Sequence, residues 1–263
     1  MSLNPKSALR RLLDAVYGIY AVSIFLILGS VALVLVTLVP GLSLNARRGI
    51  AHWSAHLFLL CVGLRVRVIN LHRLPAGPCV VVANHASYLD GPLLKGVLPA
   101  RFSFVIKKEV SRVPLAGVLL RRIGSEFVDR FNRHAGAMDT RRLLKAADAG
   151  QALAFFPEGT FVEEPGLGKF HTGAFAIAAR AQLPVVPLVI RGTRHVLPSG
   201  HFLPRWGRIE VEILPVIDVP SGVDSAAIAT MTRDQARARI LSALDEPDLT
   251  AQEETSLEVA RRN

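Results

Sequence analysis

Two residues with side chains able to do acid–base chemistry, His85 and Asp90, and the polar Asn84 follow a short apolar run in this sequence. The run, residues 80–82, consists of three valines, and a β-branched apolar run is typical of a buried strand. A Gly-Pro pair comes directly after Asp90, so the chain is expected to turn here. In α/β proteins, ligands and catalytic groups usually lie where a strand ends. The spacing therefore predicts a His–Asp pair at the end of a buried strand.

Such a pair has a defined chemistry. A carboxylate that accepts a hydrogen bond from one ring nitrogen fixes the tautomer of the histidine and stabilises its protonated form, and the other nitrogen then acts as a general base. The chain contains no GxSxG sequence, and Ser87 is too close to His85 to serve as its nucleophile without strain. We therefore expect the nucleophile to be a hydroxyl group of the substrate. The structural alternative is a capped turn that holds a buried, hydrogen-bonded histidine.

The same spacing occurs a second time, at His134 and Asp139. This pair lies in a polar stretch that is typical of the exposed start of a helix. Residues five apart on a helix point about 140° away from each other, so these two side chains do not easily meet. Only the first pair predicts a site.

Composition favours a lipid environment. Hydrophobic residues make up 51% of the chain, the mean hydropathy is +0.36 and the formal net charge is +10. An apolar and basic chain suits a membrane surface with anionic lipids, or an anionic substrate. Nucleic acid is a weaker candidate partner, because the basic residues alternate with long apolar runs and aromatic residues are 6% of the chain.

Neither a metal nor a nucleotide is predicted. No HExxH, CxxC or GxxxxGK[ST] sequence is present. Cys61 and Cys79 have apolar sequence neighbours and no metal-ligand spacing, so we interpret both as reduced core residues of an intracellular domain.

The N-terminal part of the chain predicts membrane insertion. No charged residue occurs between Asp14 and Arg47, and the apolar segment 15–39 exceeds the roughly 20 residues that span a bilayer. Residues 50–64 are also apolar but too short to span alone. One interpretation is a spanning helix followed by an interfacial helix, and the other is a hairpin in one leaflet; a buried helix pair of a soluble core is the remaining alternative. Basic residues on both flanks favour the hairpin.

From residue 65 onward, predicted strands alternate with predicted helices. This pattern predicts an α/β fold with a mostly parallel sheet and helices on both faces, preceded by the N-terminal helix pair. We divide the chain into residues 1–64 (membrane-anchoring helices), 65–244 (the α/β domain) and 245–263 (a polar tail).

The sequence NHASYLD at residues 84–90 resembles the first motif of the glycerolipid acyltransferases, the family of the 1-acylglycerol-3-phosphate acyltransferases. Three later stretches fall in that family's order, and an apolar stretch at 183–190 follows them, so that the resemblance covers residues 74–217. The three stretches are KKE at 107–109, GSEFVDR at 124–130 and FPEGT at 156–160.

The resemblance implies a membrane-bound enzyme whose active site faces the cytoplasm. Such an enzyme moves an acyl chain from a thioester (acyl-CoA or acyl carrier protein) to the free hydroxyl of lysophosphatidic acid, giving phosphatidic acid without a cofactor. His85 would be the base and Asp90 would hold it.

Substrate contacts are implied by the same resemblance. The candidate substrate-binding residues are Asn84, Lys107, Lys108, Arg130, Glu158, Gly159 and Thr160. The cations among them are candidates for the acceptor's phosphate, whereas the alternative for Glu158 is a turn residue that bonds local amides. Many relatives carry Arg after the Thr, but here that residue is Phe161. Another lyso-lipid, such as lyso-ornithine lipid, is therefore an alternative acceptor, and a non-catalytic membrane-binding protein is the alternative from another class.

Overall fold

The computed structural model describes residues 5–129, 133–220 and 224–251, and these contain a sheet of seven strands. The strands are β1 (Arg65–Ile69), β2 (Val80–Ala83), β3 (Phe102–Lys107), β4 (Glu126–Val128), β5 (Ala152–Phe155), β6 (Val185–Arg191) and β7 (Arg208–Ile213). Their spatial order is β1-β7-β6-β2-β5-β3-β4, and neighbouring strands are parallel except for the antiparallel pair β6 and β7. The predicted mostly parallel sheet is confirmed.

Strand β2 is the fourth of the seven strands, and other parts of the protein cover both of its faces. Each of its four residues is fully buried, which an unbroken apolar run permits and an alternating strand would not. Its two neighbours, β5 and β6, pair with it in parallel, so the carboxyl ends of these three strands meet at one edge. The residues after β2 and after β5 are thereby brought together.

Helices cover both faces of the sheet, as predicted. They are α1 (Pro5–Leu38), α2 (Leu44–Cys61), α3 (Asp90–Val97), α4 (Ala116–Arg122), α5 (Arg133–Asp148), α6 (Gly173–Arg180), α7 (Thr193–Val196) and α8 (Ser225–Leu244). One apolar core joins Val81 to α2 and α3, and the other joins Val80 and Val82 to α6 and α8. Helix α8 was missed in the sequence, because its buried residues are few, often small and separated by arginines.

The first two helices form an antiparallel hairpin. Hydroxyl groups on α1 donate to the end of α2: Tyr17 Oη to the Val62 carbonyl (3.0 Å) and Tyr20 Oη to the Cys61 carbonyl (2.9 Å). Residues 9–38 of α1 are long and apolar enough to cross a membrane by length and composition. Its outer face carries exposed apolar side chains such as Leu26 and Ile27. This face has no cover in the described part of the chain.

Arg48 fastens the hairpin to the α/β domain, a role that the sequence did not predict. Its side chain is 3% exposed and donates to the carbonyl of Ile123 (3.1 Å) and to Oε1 of Gln151 (3.0 Å). Further bonds reach the carbonyls of Arg101 and Gly124. A buried guanidinium is tolerated when its N–H groups find acceptors. Here the acceptors lie on residues that shortly precede β3, β4 and β5, so Arg48 joins α2 to the amino ends of these three strands.

The prediction that both cysteines are core residues is confirmed for Cys79 and wrong for Cys61. Cys79 is buried, and this burial raises the pKa of its thiol to about 11, whereas Cys61 is exposed. Leu60, which precedes Cys61, is 63% exposed. Apolar neighbours in this segment therefore mark an apolar outer face of α2 and not a core.

Part of the predicted polar tail contacts the α/β domain. The amide of Gly166 donates to Oε2 of Glu246 (2.7 Å), and the amide of Leu167 donates to the Pro247 carbonyl (2.9 Å). Arg237 on α8 holds Asp248 with two hydrogen bonds, and this contact keeps the pKa of Asp248 below its usual range. Residues 246–248 thus brace the loop that follows β5.

The hairpin makes a testable prediction about topology. Because the α/β domain holds both ends of α1, through Leu203 packed beside Gly18 and through Arg48 bonded to Ile123, we expect the two ends of the apolar segment 15–39 to lie on the same side of a bilayer. Single reporters Arg10→Cys and Asn45→Cys, each with Cys61→Ser, are labelled in sealed vesicles with a membrane-impermeant maleimide. Labelling of both from one side is expected, and labelling from opposite sides would show that α1 spans the bilayer. Extraction of the full chain by alkaline carbonate would contradict insertion altogether.

Candidate active site

The predicted His–Asp pair exists. His85 Nδ1 lies 2.8 Å from Asp90 Oδ2, and because a carboxylate can only accept, Nδ1 carries the hydrogen. The same oxygen accepts from the amides of Ala86 (2.7 Å) and Ser87 (2.9 Å). The Asp90 side chain is fully buried and that of His85 is 18% exposed. The imidazole is therefore fixed in one tautomer, with the lone pair of Nε2 available as a base.

Asn84 uses both ends of its amide on the neighbouring strand. Its Nδ2 donates to the carbonyl of Ile190 (2.9 Å), and its Oδ1 accepts from the amide of the same residue (2.7 Å). The side chain thus continues the pairing of β2 with β6 by one more step and orients the turn that begins at His85. Its predicted contact with substrate stays a prediction.

Glu158 connects the His85 turn to the loop after β5. Its Oε1 accepts from the backbone amide of His85 (2.7 Å), and its Oε2 accepts from the amide of Gly168 (2.8 Å). Burial raises the pKa of this carboxyl group, and the two amides oppose that shift. Both bonds go to backbone amides, as in the turn-residue alternative, so Glu158 positions the histidine. Its direct contact with an acceptor remains untested.

Aromatic rings enclose the imidazole. The ring of Phe156 is stacked on His85 at a centroid distance of 4.2 Å, and Phe161 meets it edge-on at 4.6 Å. Tyr88 in turn contacts Phe161 edge-on at 4.8 Å. The residue that replaces the family's arginine is thus packed against the catalytic candidate. Sequence reasoning noted the replacement, but only the fold shows where the ring goes.

His85 lies on the wall of an apolar cavity of about 390 Å³. The cavity runs between the sheet and the helices α1, α2, α3 and α4. Its walls include Phe25 and Ala32 of the hairpin, Phe104 of β3 and Leu120 of α4. A cavity of this size and apolar character suits an alkyl chain, and it joins the predicted base to the helices that carry the exposed apolar face.

Lys95, which sequence reasoning missed, also lines this cavity. It lies on α3, and its ammonium is 5.6 Å from the centroid of the Phe104 ring. Burial lowers the pKa of Lys95 to about 8, and the positive charge of Arg48 acts in the same direction. A lysine inside an amphipathic helix is an ordinary sequence feature, so no pattern could have identified it.

The other predicted substrate ligands reach the site to different extents. Lys107 ends β3 and lines the cavity, as do Gly159 and the exposed Thr160. Lys108 points elsewhere and forms an ion pair with Asp129 at 3.2 Å. Arg130 lies outside the described residues.

The second HxxxxD pair is placed as the sequence suggested, on one continuous helix. Asp139 accepts from the amide of Asp129 (2.8 Å) and pairs with Arg142 at 3.0 Å. Its carboxylate therefore helps attach α5 to β4 and is engaged away from the cavity.

Comparison with known proteins agrees with this site. Residues 65–191 match the family model described as Acyltransferase. The chain is 32% identical over 210 residues to the lyso-ornithine lipid O-acyltransferase of Pseudomonas aeruginosa, covering 73% of this chain and 78% of that protein. The chain belongs to the acyltransferase family that includes the 1-acyl-sn-glycerol-3-phosphate acyltransferases.

Two further similarities differ in the length that they cover. A chloroplastic 1-acyl-sn-glycerol-3-phosphate acyltransferase of Brassica napus is 34% identical over 133 residues, or 50% of this chain. The match spans only 38% of the length of that protein. The crystal structure of the 1-acyl-sn-glycerophosphate acyltransferase of Thermotoga maritima superposes with a TM-score of 0.69 at 22% identity, over 89% of this chain and 95% of that one. This last likeness shows that the acyltransferase fold is shared.

The contacts of Glu158 predict the effect of removing its charge. In Glu158→Gln, an NH₂ group faces one of the two amides, so a hydrogen bond to a charged acceptor is lost. We expect unfolding in detergent micelles to become easier by roughly 1.5–3 kcal/mol, with a lower kcat because the His85 turn loosens. Glu164→Gln, on an exposed residue of the same loop, is the matched control. Equal stability and turnover in the two variants would contradict the positioning role.

Proposed function

We propose that this protein is a membrane-bound acyltransferase that moves an acyl chain from an acyl thioester to the free hydroxyl of a lysophospholipid. The observation that carries the proposal is the His85–Asp90 pair, at 2.8 Å, on the wall of an apolar cavity. A base without a neighbouring protein nucleophile suits a reaction in which the substrate supplies the hydroxyl. The adjoining cavity suits the acyl chain.

The chemical steps follow from this geometry. His85 Nε2 takes the proton of the acceptor hydroxyl as its oxygen attacks the thioester carbon, and Asp90 stabilises the imidazolium that forms. The tetrahedral intermediate then collapses, the carbon–sulfur bond breaks, and the thiolate leaves with the proton from His85. The products are an ester and a free thiol, so the histidine returns to its starting state. Acyl-CoA or acyl carrier protein serves as co-substrate, and these steps call for no resident cofactor.

We propose lysophosphatidic acid as the acceptor and phosphatidic acid as the product. Lys107 supports this choice, because it lies at the cavity, and it makes no ion pair within the residues that the structure describes. Relatives such as the Brassica protein are 1-acyl-sn-glycerol-3-phosphate acyltransferases, which supports the same acceptor. The hairpin would hold the reaction at the cytoplasmic leaflet, where both substrates are available.

One observation favours a second acceptor. Phe161 occupies the place of an arginine and packs on His85 and Tyr88, so it offers no charge to a phosphate. The Pseudomonas relative, which covers most of this chain, is named as acting on lyso-ornithine lipid. A zwitterionic head group without phosphate is therefore the alternative substrate. A non-catalytic membrane-binding protein is disfavoured, since it has no use for an oriented base.

The dyad is tested by substitution. His85→Ala is expected to lower kcat by at least about 10²–10³-fold, since a general base contributes on that scale, and Asp90→Asn somewhat less. Turnover is measured with purified, folded protein and a radiolabelled acyl donor. His134→Ala, from the second HxxxxD pair, serves as control and should change little. Near-normal turnover of His85→Ala would refute the mechanism.

The acceptor is decided by a panel of lysophosphatidate and lyso-ornithine lipid. If the phosphate is bound, Lys107→Ala and Arg130→Ala should each lower kcat/KM for lysophosphatidate by about 10–150-fold, which corresponds to a charge-assisted contact of roughly 1.5–3 kcal/mol. Lys108→Ala, whose ammonium is engaged by Asp129, is the matched control. Efficient use of lysophosphatidate that survives both substitutions would disprove the phosphate assignment. A preference of the wild type for lyso-ornithine lipid would establish the second acceptor.

A further inference from the structure

The loop between α7 and β7, residues 197–207, exposes large apolar side chains for which the described chain offers no cover. Phe202 is 84% exposed, Trp206 48% and Leu203 40%. Single exposed apolar residues are ordinary, but three within five positions of one loop form a patch. Neither the His–Asp chemistry nor the hairpin accounts for it. We call residues 197–207 the Phe202 loop.

This loop is held firmly against the membrane hairpin. Leu203 packs so closely on α1 that a Cβ atom at Gly18 would lie 2.7 Å from its side chain. The indole of Trp206 donates to the carbonyl of Gly63 (3.1 Å), where α2 leads into β1. The apolar patch is therefore continuous with the exposed face of α1, and its position relative to that helix is fixed.

The same loop is tied to the catalytic turn. Ser87, two residues after His85 and fully buried, donates its hydroxyl to the carbonyl of Leu197 at 2.7 Å. The first residue of the Phe202 loop thus contacts the turn that carries the base. Whatever the loop binds lies close to the reaction.

Cations surround the patch. Arg205 and Arg208 are exposed, and the guanidinium of Arg65 lies over the Trp206 ring at 5.1 Å from its centroid. These three arginines make no ion pair within the described part of the chain. Aromatic side chains interleaved with free arginines are the composition of a surface that meets anionic lipid head groups.

We propose that the Phe202 loop is a second membrane contact, with Phe202 inserted among acyl chains, Trp206 at the head-group level and Arg205 on anionic phosphates. Together with the hairpin it gives the domain two points of attachment. Two points fix its tilt, so that the cavity beside His85 faces the lipid surface. The inference rests on the membrane location in the proposed function and adds a surface that this location alone does not require.

The chain offers its own reporters, since Trp53 and Trp206 are its two tryptophans. Trp53→Phe leaves Trp206 as the emitter, and Trp206→Phe leaves Trp53 on the hairpin. Each full-length variant is reconstituted in vesicles of phosphatidylcholine and phosphatidylglycerol that carry bromine at shallow or deep chain positions. We expect Trp206 to be quenched, and more strongly by shallow bromine. Quenching of Trp53 without Trp206 would overturn the loop proposal but leave the hairpin, whereas quenching of neither would overturn the membrane location as well.

Activity supplies the second measurement. Phe202→Ser should lower kcat/KM for a lyso-lipid in anionic vesicles by about tenfold or more, the scale of losing a buried phenyl ring, and leave turnover of a detergent-dispersed short-chain substrate unchanged. Met231→Ser, on an apolar residue of α8 across the sheet that is 50% exposed, is the matched control. Arg205→Gln should reduce the gain that anionic lipid gives over neutral vesicles. Unchanged vesicle kinetics of Phe202→Ser, or a change in its oligomeric state instead, would show that the patch does not meet lipid.

Discussion

The carboxylate of Asp90 is the group around which the site is built. It is fully buried, and an isolated buried carboxylate costs several kcal/mol unless donors surround it. One oxygen accepts from the His85 ring and from the amides of Ala86 and Ser87. The four residues between the histidine and the aspartate therefore wrap around this oxygen. Because Asp90 needs these hydrogen-bond donors, the backbone of residues 86–89 turns around its carboxylate. This turn orients the imidazole of His85.

A second carboxylate, that of the partly buried Glu158, extends this arrangement to the neighbouring strand. It links the amide of His85 to the amide of Gly168, in a loop that residues 246–248 and Arg237 hold in place. The base is thus fixed from two sides, by its own turn and by the loop after β5. In the proposed reaction, preorganisation of this kind removes the need to reorient the site, because its dipoles already point toward the imidazole.

The opposite wall of the site belongs to the hairpin. Arg48 locks α2 to the amino edge of the sheet, while α1 and α2 contribute side chains to the apolar cavity. The hairpin therefore serves two purposes, since it presents an apolar outer face and also completes the apolar cavity that we propose holds the acyl chain. The packing of Phe161 against His85 makes this space more apolar close to the base.

The sequence by itself predicted most of the elements, helix α8 excepted, and the position of the His85–Asp90 pair. An unbroken valine run predicted β2, alternation of strands with helices predicted the parallel sheet, and a strand-end position distinguished His85 from His134. These predictions succeed because they depend on local patterns of apolar residues. The resemblance that identified the family likewise rests on short, ordered motifs.

Contacts between residues that are distant in the chain were decided only by the tertiary structure. Asn84 with Ile190, Glu158 with His85, and Ser87 with Leu197 are 106, 73 and 110 residues apart. Nothing in local sequence states which amide a buried carboxylate will bond. For the same reason the apolar run around Cys61 was assigned to a core and proved to be an outer surface. A hydrophobic pattern shows which side chains avoid water, but the arrangement of the other elements decides whether protein covers them.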